Sequence, residues 1–393
     1  MKKVSLLAGS FAAALLMAGG IALGTTTSNS QSVAAVSNIR QKTDYTKRSN
    51  AYVNTKGAKG VANLRYKQGS TAYSKTYKVT AGTTKGAKWT TAFYLPLKNL
   101  TSNANPSHKN TSYFATNAPQ GFTMDKSGNM YFAFSRKNSN RGKTGYLYNG
   151  YIMKVDAYAV KKLEGNKKLL TTNPNSLIKS GHVKFSNMNW AFCSGSLAWD
   201  PKTNRLKFII AYNSPSRSYL STHPVQMVTA NPSSLKFEST AKFYLHDTVT
   251  GQYSQPNVLA FDNSGNYYTA AAASLNTSNG NAYILHQGVR KSNGTYSDRE
   301  LGMTIKPILS TQEQGISIDN DRFYIGSNSA YISFSLSKYL KNAYTPSMAK
   351  SAGSWLGVET AQIAGSRESE NVLSRNGVKY MAMTWPNEVI MHK

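Results

Sequence analysis

The sequence has almost no cysteine and few acidic residues. Among 393 residues there is one cysteine, Cys193, so an intramolecular disulfide cannot form. Acidic residues number 17 and basic residues 46, which gives a formal net charge of +29. The lone thiol excludes the small, disulfide-stapled class of secreted domains. Because Cys193 lies just before a predicted strand at Leu197, we expect a buried small residue there rather than a nucleophile.

The sequence motifs of several enzyme classes are also absent. The chain has no glycine-rich phosphate loop, no HExxH, no paired CxxC and no GxSxG. Its six histidines are scattered without the spacing of metal ligands. We therefore expect neither a metal ion nor a cofactor.

Long apolar runs are limited to one, at the N-terminus. Lys2 and Lys3 precede an uncharged stretch from Val4 to Leu23, and small polar residues follow it. This order is typical of a signal peptide, which we assign to residues 1–35. The run is also about long enough to span a bilayer, so an uncleaved anchor is the alternative. With the leader removed, we expect a secreted, extracellular protein without a transmembrane segment.

A hairpin pattern recurs five times in the remainder of the chain. Each copy has a small or polar start, a short apolar strand, a tight turn and a second strand rich in Tyr, Phe and Ile. A third strand follows each hairpin. The copies begin at Gln120, Ser194, Gln255, Gln314 and Ser369. The third strands are Gly150–Val155, Val225–Val228, Ala282–His286, Ala330–Phe334 and Asn387–Met391.

The spacing of these copies predicts an all-β fold, a β-propeller of five blades over residues 89–393. A repeat of about 60 residues is too long for a solenoid rung and suits a four-stranded blade. The strand at Trp89–Leu95 is expected to complete the last blade and close the ring, which removes exposed sheet edges. A β-sandwich with similar hairpins is the alternative.

The turns of four copies carry an aspartate, and we expect these residues to be structural. An Asp that ends a strand before Asn, Ser or Gly caps the turn with its own side chain. Carboxylates at equivalent positions of a repeat are therefore not assigned to catalysis. The four residues are Asp125, Asp200, Asp262 and Asp319.

Lysine supplies most of the positive charge, since only 12 of the basic residues are Arg. Lysine is a hydrated point charge, suited to diffuse attraction to polyanions. Asp44 is the only acid between Lys42 and Lys98. Residues 36–88 thus form a basic region rich in Lys, Gly, Thr and Tyr. This region is interpreted as a wall-facing extension, a small β-subdomain or part of the first blade.

An exported, basic protein is expected to associate with the cell wall. The abundant polyanions outside a Gram-positive cell are teichoic acids and other wall polymers, so the expected partners are anionic wall polymers or surface glycans. Nucleic acid is not an expected partner, because no nucleic-acid-binding module is present. Alternatively, the charge serves only retention and solubility.

Polar residues at the starts of the repeats are the candidate site. The start of an innermost strand borders the channel of a propeller, so these side chains are expected to converge at one mouth. Two acids roughly 5–10 Å apart there would permit glycoside hydrolysis, whereas hydrogen bonding between neighbouring blades is the alternative. The candidate catalytic acids are Glu313, Glu368 and Glu370, and the candidate ligand-binding residues are Gln120, Gln255 and Gln314.

Two resemblances add to this interpretation. The segment Pro119–Tyr131 resembles the blade motif of NHL-type propellers. The segments Ser196–Ala211, Phe261–Tyr268 and Glu368–Val372 are similar to the helveticin J-like family of large (class III) bacteriocins from lactobacilli. That resemblance implies a secreted propeller that acts at bacterial envelopes by binding or by lysis, and it assigns no catalytic residue.

Two classes of function remain. The favoured one is a non-enzymatic, bacteriocin-like protein that binds the Gram-positive envelope. The alternative is a secreted glycoside hydrolase or lyase that uses the repeat-start carboxylates. Clustering of Glu313, Glu368 and Glu370 in one open cleft would favour the enzyme, and burial with satisfied partners would favour the binder.

Overall fold

The structure is a computed structural model. It describes residues 52–55, 76–96, 118–137, 148–186, 196–210, 220, 222–246, 253–274, 281–306, 309, 314–342, 356–364, 367–384 and 387–393, which belong to one compact unit, Val36–Lys393. The predicted signal peptide, most of the basic 36–88 region, Cys193 and Glu313 lie outside these ranges. None of the described helices is both long enough and apolar enough to cross a membrane.

Three strands precede the first repeat, and the first two repeats then form separate four-stranded antiparallel sheets. We call each such up-and-down unit a meander. The early strands are β1 (Tyr52–Asn54), β2 (Thr76–Ala81) and β3 (Lys88–Tyr94). Meander 1 contains β4 (Ala118–Met124), β5 (Met130–Lys137), β6 (Tyr148–Val155) and β7 (Val183–Phe185). Meander 2 contains β8 (Ala198–Asp200), β9 (Arg205–Ile209), β10 (Val225–Ala230) and β11 (Phe237–Phe243).

A short ladder of β12 (Leu245–His246) and β13 (Tyr253–Ser254) leads to the third repeat. Its sheet also takes in two strands outside the meander, because β18 (Thr304–Lys306) pairs with its third strand and β1 pairs in parallel with β18. Meander 3 contains β14 (Ala260–Phe261), β15 (Tyr267–Ser274), β16 (Asn281–Arg290) and β17 (Tyr296–Glu300).

The last two repeats share one nine-stranded sheet. Meander 4 contains β19 (Gly315–Asp319), β20 (Arg322–Ser327), β21 (Ala330–Ser335) and β22 (Glu359–Ile363). Meander 5 contains β23 (Ser369–Arg375), β24 (Val378–Met383), β25 (Glu388–His392) and the early strand β3. The prediction that an N-terminal strand completes the last blade is confirmed, since Phe93 of β3 pairs with Val389 of β25.

The strand β2 joins these two meanders by pairing with β3 on one side and with β22 on the other. Part of the basic 36–88 region therefore belongs to the sheet, and the propeller begins before residue 89. A buried ion pair lies at this junction. Arg367 bonds the fully buried carboxylate of Glu388, which also accepts from Tyr77 of β2 at 2.5 Å and from Thr91 of β3 at 2.7 Å.

The first strands of the five meanders contact one another in a closed cycle. β4 contacts β8, β8 contacts β14, β14 contacts β19, β19 contacts β23, and β23 returns to β4. Two face-packed sheets would not produce such a cycle. The fold is a β-propeller with these strands innermost. The number of blades stays a prediction, because meanders 4 and 5 are hydrogen-bonded into one sheet.

The core lies between successive meanders. One hydrophobic cluster joins meanders 2 and 3, another joins 3 and 4, another 4 and 5, and another 5 and 1. Between meanders 1 and 2 the rings of Tyr131 and Trp199 stack with centroids 6.3 Å apart. Because each blade is covered on both faces, middle strands such as β20 and β21 are almost entirely buried. Their sequences accordingly contain large apolar residues at adjacent positions, such as Phe323, Tyr324 and Ile325 in β20 and Tyr331 and Ile332 in β21.

Four short helices are described. Three form an insertion between β6 and β7, and the fourth directly follows β21. The insertion carries little sequence signal because its helices are brief. The helices are α1 (Ala157–Gly165), α2 (Leu169–Thr172), α3 (Asn175–Lys179) and α4 (Leu336–Asn342).

Candidate functional site

The innermost strands define two ends of the propeller. We call the end at which they begin the start mouth, and the end at which they run into the hairpin turns the turn mouth. Sequence reasoning placed the candidate site at the start mouth. The cavity that the structure shows lies at the turn mouth.

Four of the six predicted site residues lie near one another at the start mouth. Gln314 donates from Nε2 to Glu368 Oε1 at 3.0 Å and to Asn328 Oδ1 at 3.1 Å. Gln120, on β4, donates to Glu370 Oε1 at 3.4 Å. These bonds cross from meander 1 to meander 5 and from meander 4 to meander 5. The predicted convergence of blade-start side chains therefore holds for this group.

The two carboxyl groups of this cluster differ in environment. Glu370 is fully buried, and its Oε2 has no hydrogen-bond partner. Burial, with a smaller contribution from the charge of Glu368, raises the Glu370 pKa well above its ordinary value. Burial also raises the pKa of Glu368, against the opposing effect of hydrogen bonds from Gln314 and Thr384. A neutral Glu370 beside an ionisable Glu368 has the form of an acid and base pair.

The neighbouring Asn371 shows that this cluster also holds the propeller together. Its Nδ2 donates to the carbonyl of Phe122 on β4 at 2.9 Å and to that of Ile316 on β19 at 3.3 Å. Three innermost strands are thus tied by one amide. A Cβ on Gly315 would lie 2.5 Å from Asn371 Cγ, so the close approach requires glycine at that position.

Of the two remaining predicted residues, Gln255 is described and Glu313 is not. Gln255 is half-buried between β13 and β14. Glu313, the third candidate acid, lies outside the described residues, as do Cys193 and the connections 187–195, 247–252 and 310–313. The structure therefore brings two of the three candidate acids together.

A cavity of about 420 Å³ lies at the turn mouth, and residues following all five innermost strands line it. Its charged lining residues are Lys126, Asp319 and Arg375, and Trp199 supplies an aromatic ring. Arg375 also donates to the backbone carbonyl of Asp125, which fixes the guanidinium beside the first turn. A cavity of this size with hydrogen-bonding groups and an aromatic wall fits a sugar-sized ligand.

Sequence reasoning missed this cavity, although the repeat contained a signal for it. Lys126, Asn263, Asn320 and Asn376 occupy the turns of four different copies, and all four line the cavity. Because innermost hairpins point their turns toward the same end of a propeller, polar residues in these turns meet there. The turn residues were interpreted only as structural.

Three of the four turn aspartates cap their turns. Asp125 accepts from the backbone N–H groups of Ser127 and Asn129 at 2.9 and 3.0 Å, and from Tyr131 OH at 2.9 Å. Asp200 and Asp262 accept turn N–H groups in the same way. Asp319 differs, since its hydrogen bond comes from the side chain of Asn320 at 3.3 Å.

No cluster of three or more potential metal ligands occurs among the described residues. The sequence matches no known family model and no curated protein. Among solved structures, a polysaccharide lyase is similar with a TM-score of 0.34 and 10% identity, over 72% of this chain and 59% of that one.

Two further solved structures are similar at the same level. A glutaminyl cyclase from Myxococcus xanthus has a TM-score of 0.35 and 12% identity, over 70% of this chain and 91% of that one. A virginiamycin B lyase from Staphylococcus aureus has a TM-score of 0.31 and 8% identity, over 70% and 95%. These likenesses are too distant to indicate what this chain acts on.

Proposed function

We propose that this is a secreted, strongly basic β-propeller that binds anionic wall polymers or glycans at the Gram-positive envelope. One observation carries the proposal: the fold buries acids and exposes lysines. Among the residues that the structure describes, six acids are buried, and the lysines whose side chains are described, except Lys207, lie at least partly in solvent. The surface is therefore more positive than composition alone implies. The buried acids are Asp125, Asp200, Asp298, Glu300, Glu370 and Glu388.

The environment of the candidate acids also favours binding over catalysis. Glu368 is bonded to Gln314 and Thr384, and Glu370 is enclosed between the innermost strands. Carboxyl groups held in this way link neighbouring blades. The open, polar cavity lies at the other mouth, where Lys126 and Arg375 suit an anionic or hydroxylated unit of a glycan.

A pull-down on purified Gram-positive walls tests the proposal. The mature protein should bind intact walls and bind much less to walls from which teichoic acid has been extracted. Equal retention on both kinds of wall would contradict anionic polymers as the ligand. Growth inhibition of Gram-positive cells by the bound protein would extend the function to a bacteriocin-like one.

A carbohydrate-active enzyme is the second candidate, and the raised pKa values of Glu368 and Glu370 favour it. A protonated carboxyl group beside a second carboxylate can serve as a general acid in glycoside cleavage. Incubation of wall glycan with the protein, followed by assay of soluble sugar, tests this. Sugar release that is lost in both Glu368→Gln and Glu370→Gln would establish the enzyme. If the wild-type protein releases no sugar, the wall-binding function is favoured instead.

A further inference from the structure

The helical insertion between β6 and β7 is a rigid, basic part of meander 1. Its helices pack inward through the buried residues Ala159, Leu163, Leu170 and Leu177, which join the cluster between meanders 5 and 1. A backbone bond from Tyr94 N–H to the Lys167 carbonyl, 2.9 Å, attaches the insertion to β3. Side chains on its outer face are therefore presented from a fixed backbone.

That outer face carries an exposed aromatic ring. Tyr158 is 51% exposed, and it and Phe237 are the exposed large hydrophobic residues among those described. The imidazole of His182 lies against the Tyr158 ring with centroids 4.3 Å apart. Lys162 Nζ lies 4.9 Å from the ring centroid. His182 is itself held by Asp156, with Nδ1 and Oδ2 2.8 Å apart. The ring is thus ordered although it faces solvent.

The insertion that carries this ring also presents several exposed lysines. Tyr158, Lys161 and Lys162 share the exposed face of α1, because residues three and four apart lie on the same side of a helix. We call these three residues and His182 the α1 platform. Further exposed lysines of the insertion and of β7 are Lys168, Lys179 and Lys184. The acids within residues 156–185 are Asp156, which is occupied by His182, and Glu164.

We propose that the α1 platform is a docking site for a phosphate-linked polyol polymer of the teichoic-acid class. The inference rests on the proposed function and names a surface for it, separate from the cavity at the turn mouth. The lysine ammonium groups meet the repeating phosphates, and the exposed face of Tyr158 packs against the carbon backbone of the polyol. Charge complementarity and the ordered ring together favour this ligand.

Nucleic acid carries the same phosphodiester charge, and the composition of the platform argues against it. Base stacking and phosphate forks in nucleic-acid sites are commonly supplied by several aromatic and arginine side chains. The α1 platform has one aromatic ring flanked by imidazole, and residues 156–185 contain no arginine. Single-stranded DNA is therefore the competing ligand in the test.

Equilibrium binding of purified poly(glycerol phosphate) teichoic acid to the full mature chain tests the inference. The variant Lys161→Gln/Lys162→Gln should weaken binding by about five-fold or more per lysine removed. Its matched control, Lys202→Gln/Lys236→Gln, removes the same charge from exposed positions elsewhere and should weaken binding much less. Likewise Tyr158→Ala should reduce affinity several-fold, whereas Phe237→Ala, at the other exposed aromatic, should not.

The outcomes separate this inference from the proposed function. Equal losses in platform and control variants, or equal affinity for single-stranded DNA and teichoic acid, would overturn the α1 platform even if the wild-type chain binds walls. Binding of the free polymer without binding of walls would overturn the proposed function instead. Thermal unfolding of each variant, compared with wild type, shows whether a loss reflects misfolding, and Tyr158→Phe should retain affinity because it keeps the ring.

Discussion

At the scale of single residues, the fold buries several acids. Burying an ionised carboxylate lowers stability unless the group is protonated or paired with a cation. Glu370 is fully enclosed and has one oxygen without a partner, so burial favours its neutral form. Glu388 is equally buried but is paired with Arg367. Burial thus favours the protonated form of Glu370, whereas Glu388 lies beside a guanidinium group.

The Glu370→Gln variant tests the first of these states. A carboxyl group whose pKa is higher in the folded than in the unfolded chain stabilises less as pH rises above its ordinary value, because the unfolded chain ionises first. We expect wild type and variant to differ little near pH 4 and the variant to melt higher at pH 8. Thermal unfolding across this range measures the difference. A variant that is destabilised more at pH 8 than at pH 4 would show instead that the ionised carboxylate is required. Glu164→Gln, at a partly exposed acid, is the control.

The capped turns allow a comparison within the repeat. Asp125→Ala removes acceptors of two backbone N–H groups and of the Tyr131 hydroxyl, so we expect it to lower the free energy of unfolding by about 2–4 kcal/mol. Asp319→Ala removes one long contact with its neighbour, and we expect a loss below about 0.5 kcal/mol. Denaturant unfolding measures both, and equal losses would contradict the capping role.

At the scale of secondary-structure elements, closure of the propeller depends on strands from opposite ends of the chain. β3 pairs with β25, and β2 extends the sheet to meander 4. Tyr77, Thr91 and Arg367 all bond Glu388 at this junction. Burial and the Glu388 charge raise the pKa of the Tyr77 hydroxyl, so it remains a donor across the physiological range.

Replacing Arg367 by Met should therefore destabilise the closure strongly. It leaves Glu388 buried without its cation, for which a loss of about 3–5 kcal/mol is expected. The double variant Arg367→Met/Glu388→Met should recover much of that loss, since no unpaired charge remains. Arg205→Met breaks a partly exposed pair with Glu238 and should cost about 1 kcal/mol or less. Additive losses in the double variant would contradict the coupling.

The strands could be predicted from the sequence wherever a local pattern of apolar and turn residues specified them. Each predicted hairpin combined apolar strands with an Asp, Asn or Gly turn, and the predicted third strands correspond to β6, β10, β16, β21 and β25. The strand at Trp89–Leu95 was visible because the last repeat lacked a fourth strand. The pairing of β2 with β22 joins residues such as Val79 and Ile363, and nothing local indicates so distant a partner.

The candidate site was only partly visible in the sequence. Because Gln120, Gln314, Glu368 and Glu370 stand at the starts of their repeats, they were expected at one mouth. They do lie near one another there. Their burial could not be predicted, because it depends on how tightly the innermost strands approach around Asn371. The α1 platform was missed because Tyr158 and His182 are far apart in sequence and meet only through the fold of the insertion.

At the scale of the whole molecule, the separation of charges is the main physical feature. In the part of the chain that the structure describes, six acids lie inside, whereas lysines project from the insertion, the turns and the outer strands. A surface of one dominant sign attracts polyanions over about a Debye length and is screened by salt. The basic residues preceding Thr76 add to the net charge wherever they lie.

The contribution of that N-terminal segment is best tested by substitution rather than deletion, because β1 and β2 belong to sheets. Changing Lys56, Lys59, Lys67 and Lys75 to Gln removes four charges before β2. We expect wall binding to weaken by up to about 1,000-fold, because about 1 kcal/mol per lysine near an anionic surface amounts to about 4 kcal/mol for four lysines. Unchanged binding would show that residues of the propeller, rather than this segment, supply the attraction to the wall. Four Gln substitutions at exposed lysines of meanders 2 to 4 are the control.

The most direct test of the central claim is the salt dependence of binding to purified wall teichoic acid. If exposed lysines hold this propeller to an anionic polymer, the logarithm of the association constant should fall linearly with the logarithm of salt concentration, because counterions are released on binding. Between about 50 and 200 mM salt we expect a loss of at least ten-fold. An association constant that does not change over this range would contradict electrostatic binding and would indicate recognition through the cavity at the turn mouth.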